Sequence, residues 1–417
     1  MIAERFSEVT LEKRDCDVCG SQDLESLWSY EKNVCINGST NGYSFKVNNV
    51  ICRSCGFTFV SPRFNEDVLA DYYGSSLRSP LDQSLDYDIS FRMDVINRFL
   101  PKGVKPKFIE IGPSTFCEFQ ERVSEYFAYR GIEPSSAFGS EWKNVQDFRE
   151  ASLADIVAHY FVLEHIPNPL KFLKECNRLL KMNAFMIVEV PNIAIYPADP
   201  VALHLYEHQS HFSLRTLECL ASKAGFVQVE CTDKSSRSFG MTAVFRKIKN
   251  GSTESPPPNV KKTSCQDIVA FQGHAAIPEY RMNRQFFSLG LHKVRNFNDS
   301  LSQAKKFIEN AGNEVVILWG ANQNLVDFLG HAYPNSNAPN FLTFVDSDSR
   351  KRNLLLDYDG RFDKMVFTPS ECINAIKESC RLIVFTRRHK QAILDSIISL
   401  AGKRYKDEDT LTVDINP

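Results

Sequence analysis

Two cysteine pairs carry the clearest chemistry in this chain, Cys16-Asp17-Val18-Cys19 and Cys52-Arg53-Ser54-Cys55. In a Cys-x-x-Cys turn both thiolates reach one metal ion, and two such turns complete a tetrahedral four-sulfur shell. Gly20 and Gly56 follow the pairs directly, where a tight turn favours a residue without a Cβ. The expected metal is zinc in a structural role, since four protein thiolates leave no open position for a reactant. The pairs lack the clustered run of cysteines typical of an iron–sulfur centre. The chain has 12 cysteines, and Cys117, Cys176, Cys219, Cys231, Cys265, Cys372 and Cys380 sit mostly in apolar contexts, as reduced buried thiols do. Cys35 has no partner at ligand spacing.

A second pattern points to a nucleoside cofactor. Phe108-Ile109-Glu110-Ile111-Gly112-Pro113-Ser114 is a short apolar run ending in glycine, where a ligand can approach the backbone closely. Glu133, in Gly131-Ile132-Glu133-Pro134, follows about 20 residues on, the place for a carboxylate that takes both hydroxyls of a ribose. A hydrogen bond to such a charged acceptor contributes roughly 1.5–3 kcal/mol. The loop from Gly112 to Cys117 has a single glycine, whereas a pyrophosphate needs a glycine-rich turn at an open helix N-terminus. S-adenosylmethionine, a nucleoside without phosphates, fits this loop better than NAD, with Glu110, Gly112, Ser114 and Glu133 as its expected neighbours.

Three blocks must position these groups. Residues 13–72 hold the cysteine pairs and short β-rich runs, among them Tyr43–Val47 and Phe57–Val60. Residues 73–250 alternate strand and helix patterns: strands at Lys107–Ile111, Tyr129–Ile132, Asp155–His159, Phe185–Val190, Val227–Cys231 and Met241–Phe245, and helices at Cys117–Tyr126, Pro169–Lys181 and Leu214–Ala224. This alternation predicts a parallel, doubly wound sheet with its ligand crevice beyond the carboxyl ends of the strands. Asn250–Asn259 has three prolines and no periodicity and reads as a linker. A third block, 263–417, opens with a long helical stretch and returns to alternation at Val315–Gly320.

Composition narrows the function. The 417 residues allow two or three domains, and a net charge of −2 with 24% charged residues provides no basic field for nucleic acid. No apolar run approaches the ~18–20 residues of a membrane span, and the N-terminus lacks a signal-peptide pattern. The expectation is a cytoplasmic protein, monomer or homodimer, with a small-molecule substrate and neither nucleic acid nor membrane as partner.

The segment Asp155-Ile156-Val157-Ala158-His159-Tyr160-Phe161-Val162-Leu163-Glu164-His165-Ile166-Pro167-Asn168-Pro169 resembles the motif that follows the fourth strand of class I S-adenosylmethionine-dependent methyltransferases. Leu179–Lys181 and Val188–Asn192 continue the likeness, which places Phe161 and His165 beside the cofactor. With the four-cysteine block before it and a third block after it, the chain resembles the three-domain sugar C-methyltransferase family. The resemblance implies an α/β fold: a Rossmann-like class I methyltransferase core, a small N-terminal zinc-binding module and a C-terminal Rossmann-like α/β domain. It further implies C-methylation of a nucleotide-linked keto-deoxysugar, in which a base removes the proton next to the ketone. The catalytic run of that family is matched by Leu205-Tyr206-Glu207-His208-Gln209-Ser210-His211-Phe212-Ser213, with His208 as general base and Glu207 as its neighbour. Asp71-Tyr72-Tyr73-Gly74-Ser75-Ser76 matches the entry segment and carries over Tyr73 as the substrate-side hydroxyl. An imidazole, with its ordinary pKa near ~6.5, can accept a proton at neutral pH.

Leu205 stands where that family has a tyrosine, Ser114 where it has a second glycine, and Met182-Asn183-Ala184 where it has Pro-Gly-Gly. Two further readings therefore stand beside C-methylation: an O- or N-methyltransferase on another small metabolite, and a degenerate methyltransferase serving as a binding or scaffold subunit. In the third block Trp319-Gly320-Ala321-Asn322 has asparagine where a dinucleotide loop needs glycine, so a substrate-covering or structural role is expected there.

Overall fold

The structure is a computed structural model that describes residues 6–8, 11–35, 42–64, 88–99, 105–113, 117–133, 153–205, 207–248, 278–321, 323–333, 338–347, 352, 355–358, 361–386 and 389–414. Tyr73, Ser114, Tyr206, Asn322, Cys265 and the Asn250–Asn259 segment lie outside the described residues.

The N-terminal part is built from β1 (Phe6–Glu8), β2 (Leu11–Glu12), β3 (Leu24–Cys35), β4 (Gly42–Cys52), β5 (Thr58–Val60) and β6 (Arg63–Phe64). β3 and β4 form a long antiparallel pair, from Leu24 opposite Cys52 to Cys35 opposite Gly42. β1 and β5 line the other edge of β4, parallel and antiparallel respectively, while β2 pairs with β6. The cysteine pairs occupy two equivalent turns, one before β3 and one between β4 and β5. In each, the glycine after the second cysteine bonds back to the first, Gly20 to Cys16 at 2.6 Å and Gly56 to Cys52 at 2.8 Å. Both glycines have positive φ, +77° and +76°, which a side chain would strain.

The middle part follows as α1 (Ile89–Arg98), β7 (Lys107–Ile111), α2 (Cys117–Tyr126), β8 (Ala128–Ile132), β9 (Ala154–Tyr160), α3 (Pro169–Leu179), β10 (Leu180–Pro191), α4 (Val201–His204), β11 (Ser210–His211), α5 (Leu214–Lys223), β12 (Phe226–Thr232) and β13 (Gly240–Lys247). Its sheet has the order β12-β13-β10-β9-β7-β8. The fully parallel sheet predicted from the sequence is corrected here: β13 runs antiparallel to both β10 and β12. The reason is local, because β12 and β13 are joined by a turn rather than a crossover helix, and a hairpin reverses direction. The remaining neighbours are parallel, and the order reverses between β7 and β9. That reversal is the switch point, where a crevice opens beyond the strand ends.

Local chemistry sets the helix limits. Asn168 caps α3 by accepting from the Lys171 N–H at 3.1 Å, Pro169 takes the first turn, and Phe172, Leu173, Cys176 and Leu179 form the buried face. α3 stops at Leu179, short of the expected Lys181, because Leu180 turns extended and pairs with Ala154. Ser213 and Thr216 form a reciprocal capping box at the start of α5.

The third part contains α6 (Pro278–Glu309), β14 (Val316–Trp319), α7 (Gln323–Ala332), β15 (Leu342–Val345), β16 (Leu355–Tyr358), β17 (Arg361–Phe367), α8 (Ile373–Glu378), β18 (Arg381–Val384), α9 (Lys390–Ala401) and β19 (Thr410–Thr412). Its sheet runs β16-β17-β15-β14-β18-β19, parallel except for the β16–β17 hairpin. α6 connects the parts. Phe287, Leu291 and Val294 pack on Ile193, Tyr196, Ala202 and Leu203, whereas Phe297, Leu301, Ala304 and Ile308 enter the core of the third sheet. No helix among the described residues is long and apolar enough to cross a membrane.

Candidate functional site

The four cysteines converge. Their sulfurs all lie within 4.8 Å of one another, with Cys16–Cys55 at 3.4 Å and Cys19–Cys52 at 3.5 Å. A tetrahedral ion with metal–sulfur bonds of about 2.3 Å would set neighbouring sulfurs roughly 3.8 Å apart, so this cage needs only a small expansion to accept one. Cys16, Cys52 and Cys55 are buried and Cys19 partly so.

At the switch point, Gly112 follows β7 with φ +70°, and a Cβ there would sit 2.6 Å from Val162 Cγ2. The glycine is thus required by the segment that follows β9. Glu133 directly follows β8 and is buried, as is Glu110 in β7. Burial raises the Glu110 carboxyl to about 7, against the pull of Arg92 and of the Tyr129 hydroxyl, which donates to it at 2.7 Å; the nearby Glu133 charge raises it further. The buried Tyr160 hydroxyl, at the end of β9, has no hydrogen-bond partner among the described residues. Two carboxylates and a neutral hydroxyl disfavour a diphosphate and suit a ligand that carries a ribose and positive charge. This donor set fits S-adenosylmethionine.

Phe161 adopts φ +57°, uncommon for a residue with a side chain and a mark of a constrained turn. Its ring packs against Phe239, with Arg237 at 4.6 Å, so it faces the β12–β13 turn. Arg92, from α1, crosses the ring of Tyr160 at 4.0 Å and pairs with the buried Glu189 at 3.3 Å, which also accepts from Ser236.

His208 lies beyond the Val162–His165 turn. Its ring meets that of His165 edge-on at 4.7 Å, and Glu164, His165 and His208 bring one ligand-type atom each within 4.8 Å. His208 is buried, which pushes its basicity well below the usual histidine range; His165 adds to this, while a bond to the Ala202 backbone opposes it. Nδ1 has no partner among the described residues, which assigns the Ala202 bond to Nε2 and leaves the lone pair on Nδ1. The Glu207 carboxylate lies 3.9 Å from His165 Nδ1, so its nearest described imidazole contact is His165. His211 is engaged elsewhere. It lies 2.6 Å from the Tyr196 hydroxyl and 2.9 Å from Asn49 Oδ1, an acceptor, so its Nε2 donates and its Nδ1 accepts.

The cysteine part holds the His208 segment directly. β11 pairs with β5, Ser210 opposite Phe59 and His211 opposite Thr58, so a strand from the middle of the chain completes the N-terminal sheet. The Gln209 carbonyl accepts from Val60 N–H at 3.0 Å and from Arg14 Nη1 at 2.9 Å, and the Gln209 N–H donates to the Glu164 carbonyl at 2.7 Å. Phe212 then meets the end of β10, accepting from Ile193 N–H at 2.9 Å. Sequence reasoning missed Arg14, Asn49, Arg92 and Tyr160. Only Arg14 offered a signal, a charged side chain beside a metal knuckle.

A family model described as a methyltransferase domain matches residues 85–231. Among solved structures, the chain is similar to a 1,6-didemethyltoxoflavin-N1-methyltransferase of Burkholderia thailandensis with bound 1,6-didemethyltoxoflavin and S-adenosylhomocysteine. The identity is 12% over 48% of this chain and 96% of that one, with a TM-score of 0.36. An S-adenosylmethionine-dependent methyltransferase of Mesorhizobium loti is 12% identical over 40% of this chain and 100% of its own, with a TM-score of 0.31. One of Methanosarcina mazei is 14% identical over 37% and 97%, with a TM-score of 0.32. No curated protein matches the chain. Residues 85–231 thus carry a methyltransferase domain, and their mixed sheet with its switch point has the class I, Rossmann-like architecture.

Proposed function

We propose that this enzyme C-methylates a nucleotide-linked keto-deoxysugar, with His208 as the general base. The observation that carries this reading is the buried His208 imidazole, whose Nδ1 has no partner among the described residues, near the cofactor glycine through Val162 and His165. When bound, the cofactor supplies an electrophilic methyl group on a sulfonium sulfur. Nδ1 of His208 takes the proton from the carbon next to the ketone. The enolate carbon so formed would take that methyl group, with S-adenosylhomocysteine as the leaving product. Glu110, Gly112 and Glu133 would hold the cofactor, and Ser114 and Tyr73 keep the roles the sequence reading gives them, beside the cofactor and at the enolate oxygen. Cys16, Cys19, Cys52 and Cys55 hold a structural zinc, and the chain divides at 13–72, 73–250 and 263–417.

Burial lowers the basicity of His208 but also removes water that would compete for the proton, so alignment is the main contribution. The test is wash-in of solvent deuterium next to the ketone, using a panel of nucleotide-linked keto-deoxysugars with S-adenosylhomocysteine in place of the methyl donor. His208→Asn should abolish exchange and turnover while retaining S-adenosylhomocysteine binding; undiminished exchange in that variant sinks the base assignment. Methyl transfer without exchange at carbon favours the O- or N-methyltransferase reading, and absence of S-adenosylhomocysteine binding favours the scaffold reading.

A further inference from the structure

We infer that Arg14 is the positioning residue for His208, acting from the first cysteine knuckle; this rests on the reading of His208 as base. The Arg14 guanidinium is buried, a costly placement for a charge unless its donors are matched. Nε donates to Asp17 Oδ2 at 2.7 Å, inside the Cys16–Cys19 turn. Nη1 donates to the Gln209 carbonyl at 2.9 Å, and Nη2 to Ser210 Oγ at 3.0 Å. Its flat face lies over Phe59 at 4.8 Å, with Phe57 at 5.9 Å, both beside the second knuckle.

Nη2 also lies 2.7 Å from Asp17 Oδ2, so the cysteine turn holds one edge of the fork, while Nη1 and the remaining reach of Nη2 go to the run that carries His208. A residue serving only the stability of the cysteine turn would not need to reach that run. Gln209, next to His208, is held at its carbonyl by Arg14 and Val60 and at its N–H by the Glu164 carbonyl. His208 N–H itself bonds the Leu205 carbonyl at 3.1 Å. The path from knuckle to base is therefore short and polar: Asp17, Arg14, Gln209, His208. Lysine cannot reproduce it, because its single nitrogen lacks the planar fork that serves three acceptors at once.

The test uses the full chain labelled with 15N-histidine and saturated with S-adenosylhomocysteine, the His208 signal being assigned by its loss in His208→Asn. In the native protein His208 should show one tautomer, protonated at Nε2. In Arg14→Lys the signal should change to a tautomer mixture and titrate closer to the ordinary histidine range. kcat with the accepted keto-deoxysugar should fall about tenfold to a hundredfold, with KM and S-adenosylhomocysteine affinity unchanged. Ser210→Ala, which removes one Arg14 acceptor and leaves the knuckle intact, should shift the same signal in the same direction to a smaller extent. It carries the test alone if Arg14 variants do not fold. An unchanged His208 signal together with unchanged kcat overturns the inference. Full turnover in His208→Asn refutes the base reading separately, leaving the Arg14-dependent tautomer as a structural link.

Discussion

Arg14 Nη1 donates to the carbonyl oxygen of Gln209 at 2.9 Å, across 195 positions of sequence. Around that bond the N-terminal sheet and the methyltransferase sheet share one segment: Ser210 and His211 extend the first, and Phe212 closes on the end of the second. The four-cysteine part is thus a wall of the candidate active site, and its stability is linked to the placement of His208.

Metal removal should be felt at that wall. A four-thiolate site contributes its binding energy to folding. Extraction with a strong chelator, or Cys16→Ser, should abolish bound zinc and speed exchange of the Val60 amide, which bonds to the Gln209 carbonyl. Hydrogen-exchange mass spectrometry on peptides covering β5 reads this directly. Protection that survives loss of the metal would show that β5 is held without it.

The carboxylate at Glu133 should be a cofactor determinant. Loss of one charged hydrogen-bond acceptor of about 1.5–3 kcal/mol weakens binding roughly tenfold to a hundredfold. Glu133→Gln should lower S-adenosylhomocysteine affinity by that amount in calorimetry, with thermal stability of the free protein little changed.

Glu110 makes stability depend on pH in a defined window. Its folded carboxyl is raised from the ordinary carboxylate range to about 7, so its favourable contribution is fully present below the unfolded value and is lost as pH rises through about 7. The cost of ionising it in place is on the order of 3 kcal/mol at most. Glu110→Gln should flatten the decline of Tm across this window, measured by calorimetry of the unliganded protein. A decline of the same slope in the variant would assign it to other groups.

The acid limb of the rate should lie low. Burial holds His208 below the ordinary histidine range, so the free base persists as pH falls through ~6.5. kcat/KM should therefore lose activity only below that pH. An acid limb above neutrality would contradict His208 as the base.

Gly56 joins the second knuckle to the long helix α6. At φ +76°, a Cβ there would stand 2.7 Å from the backbone nitrogen of Tyr280, and Asn283 Nδ2 donates to the Gly56 carbonyl at 3.0 Å. Gly56→Ala should lower stability by roughly 1–3 kcal/mol, read as a fall in Tm, because neither backbone can yield cheaply.

The elements legible in the sequence were those with short-range causes. Cysteine pairs in chelating turns, the apolar run ending at Gly112, the acid Glu133 at the next strand end and the amphipathic α3 each depend on residues a few positions apart. Most strand limits in the middle part moved by a residue or two, but β10 begins five residues before the expected Phe185 and takes the last two residues expected in α3, because pairing with Ala154 begins at Leu180. The antiparallel place of β13 was not legible, since apolar strands read alike in either direction.

From the linear chain one reads the chelating cysteine turns, the glycine after β7 and most of the strand–helix alternation, because these follow from local spacing and periodicity. Which groups meet across the chain is settled by the tertiary packing. It brought Glu207 to His165, satisfied His211 with Tyr196 and Asn49, packed the Phe161 ring on Phe239 and placed Arg14 on Gln209. Such contacts arise when sheets complete each other and buried charges find partners. They depend on burial and pairing over long separations, for which a linear sequence carries no local mark.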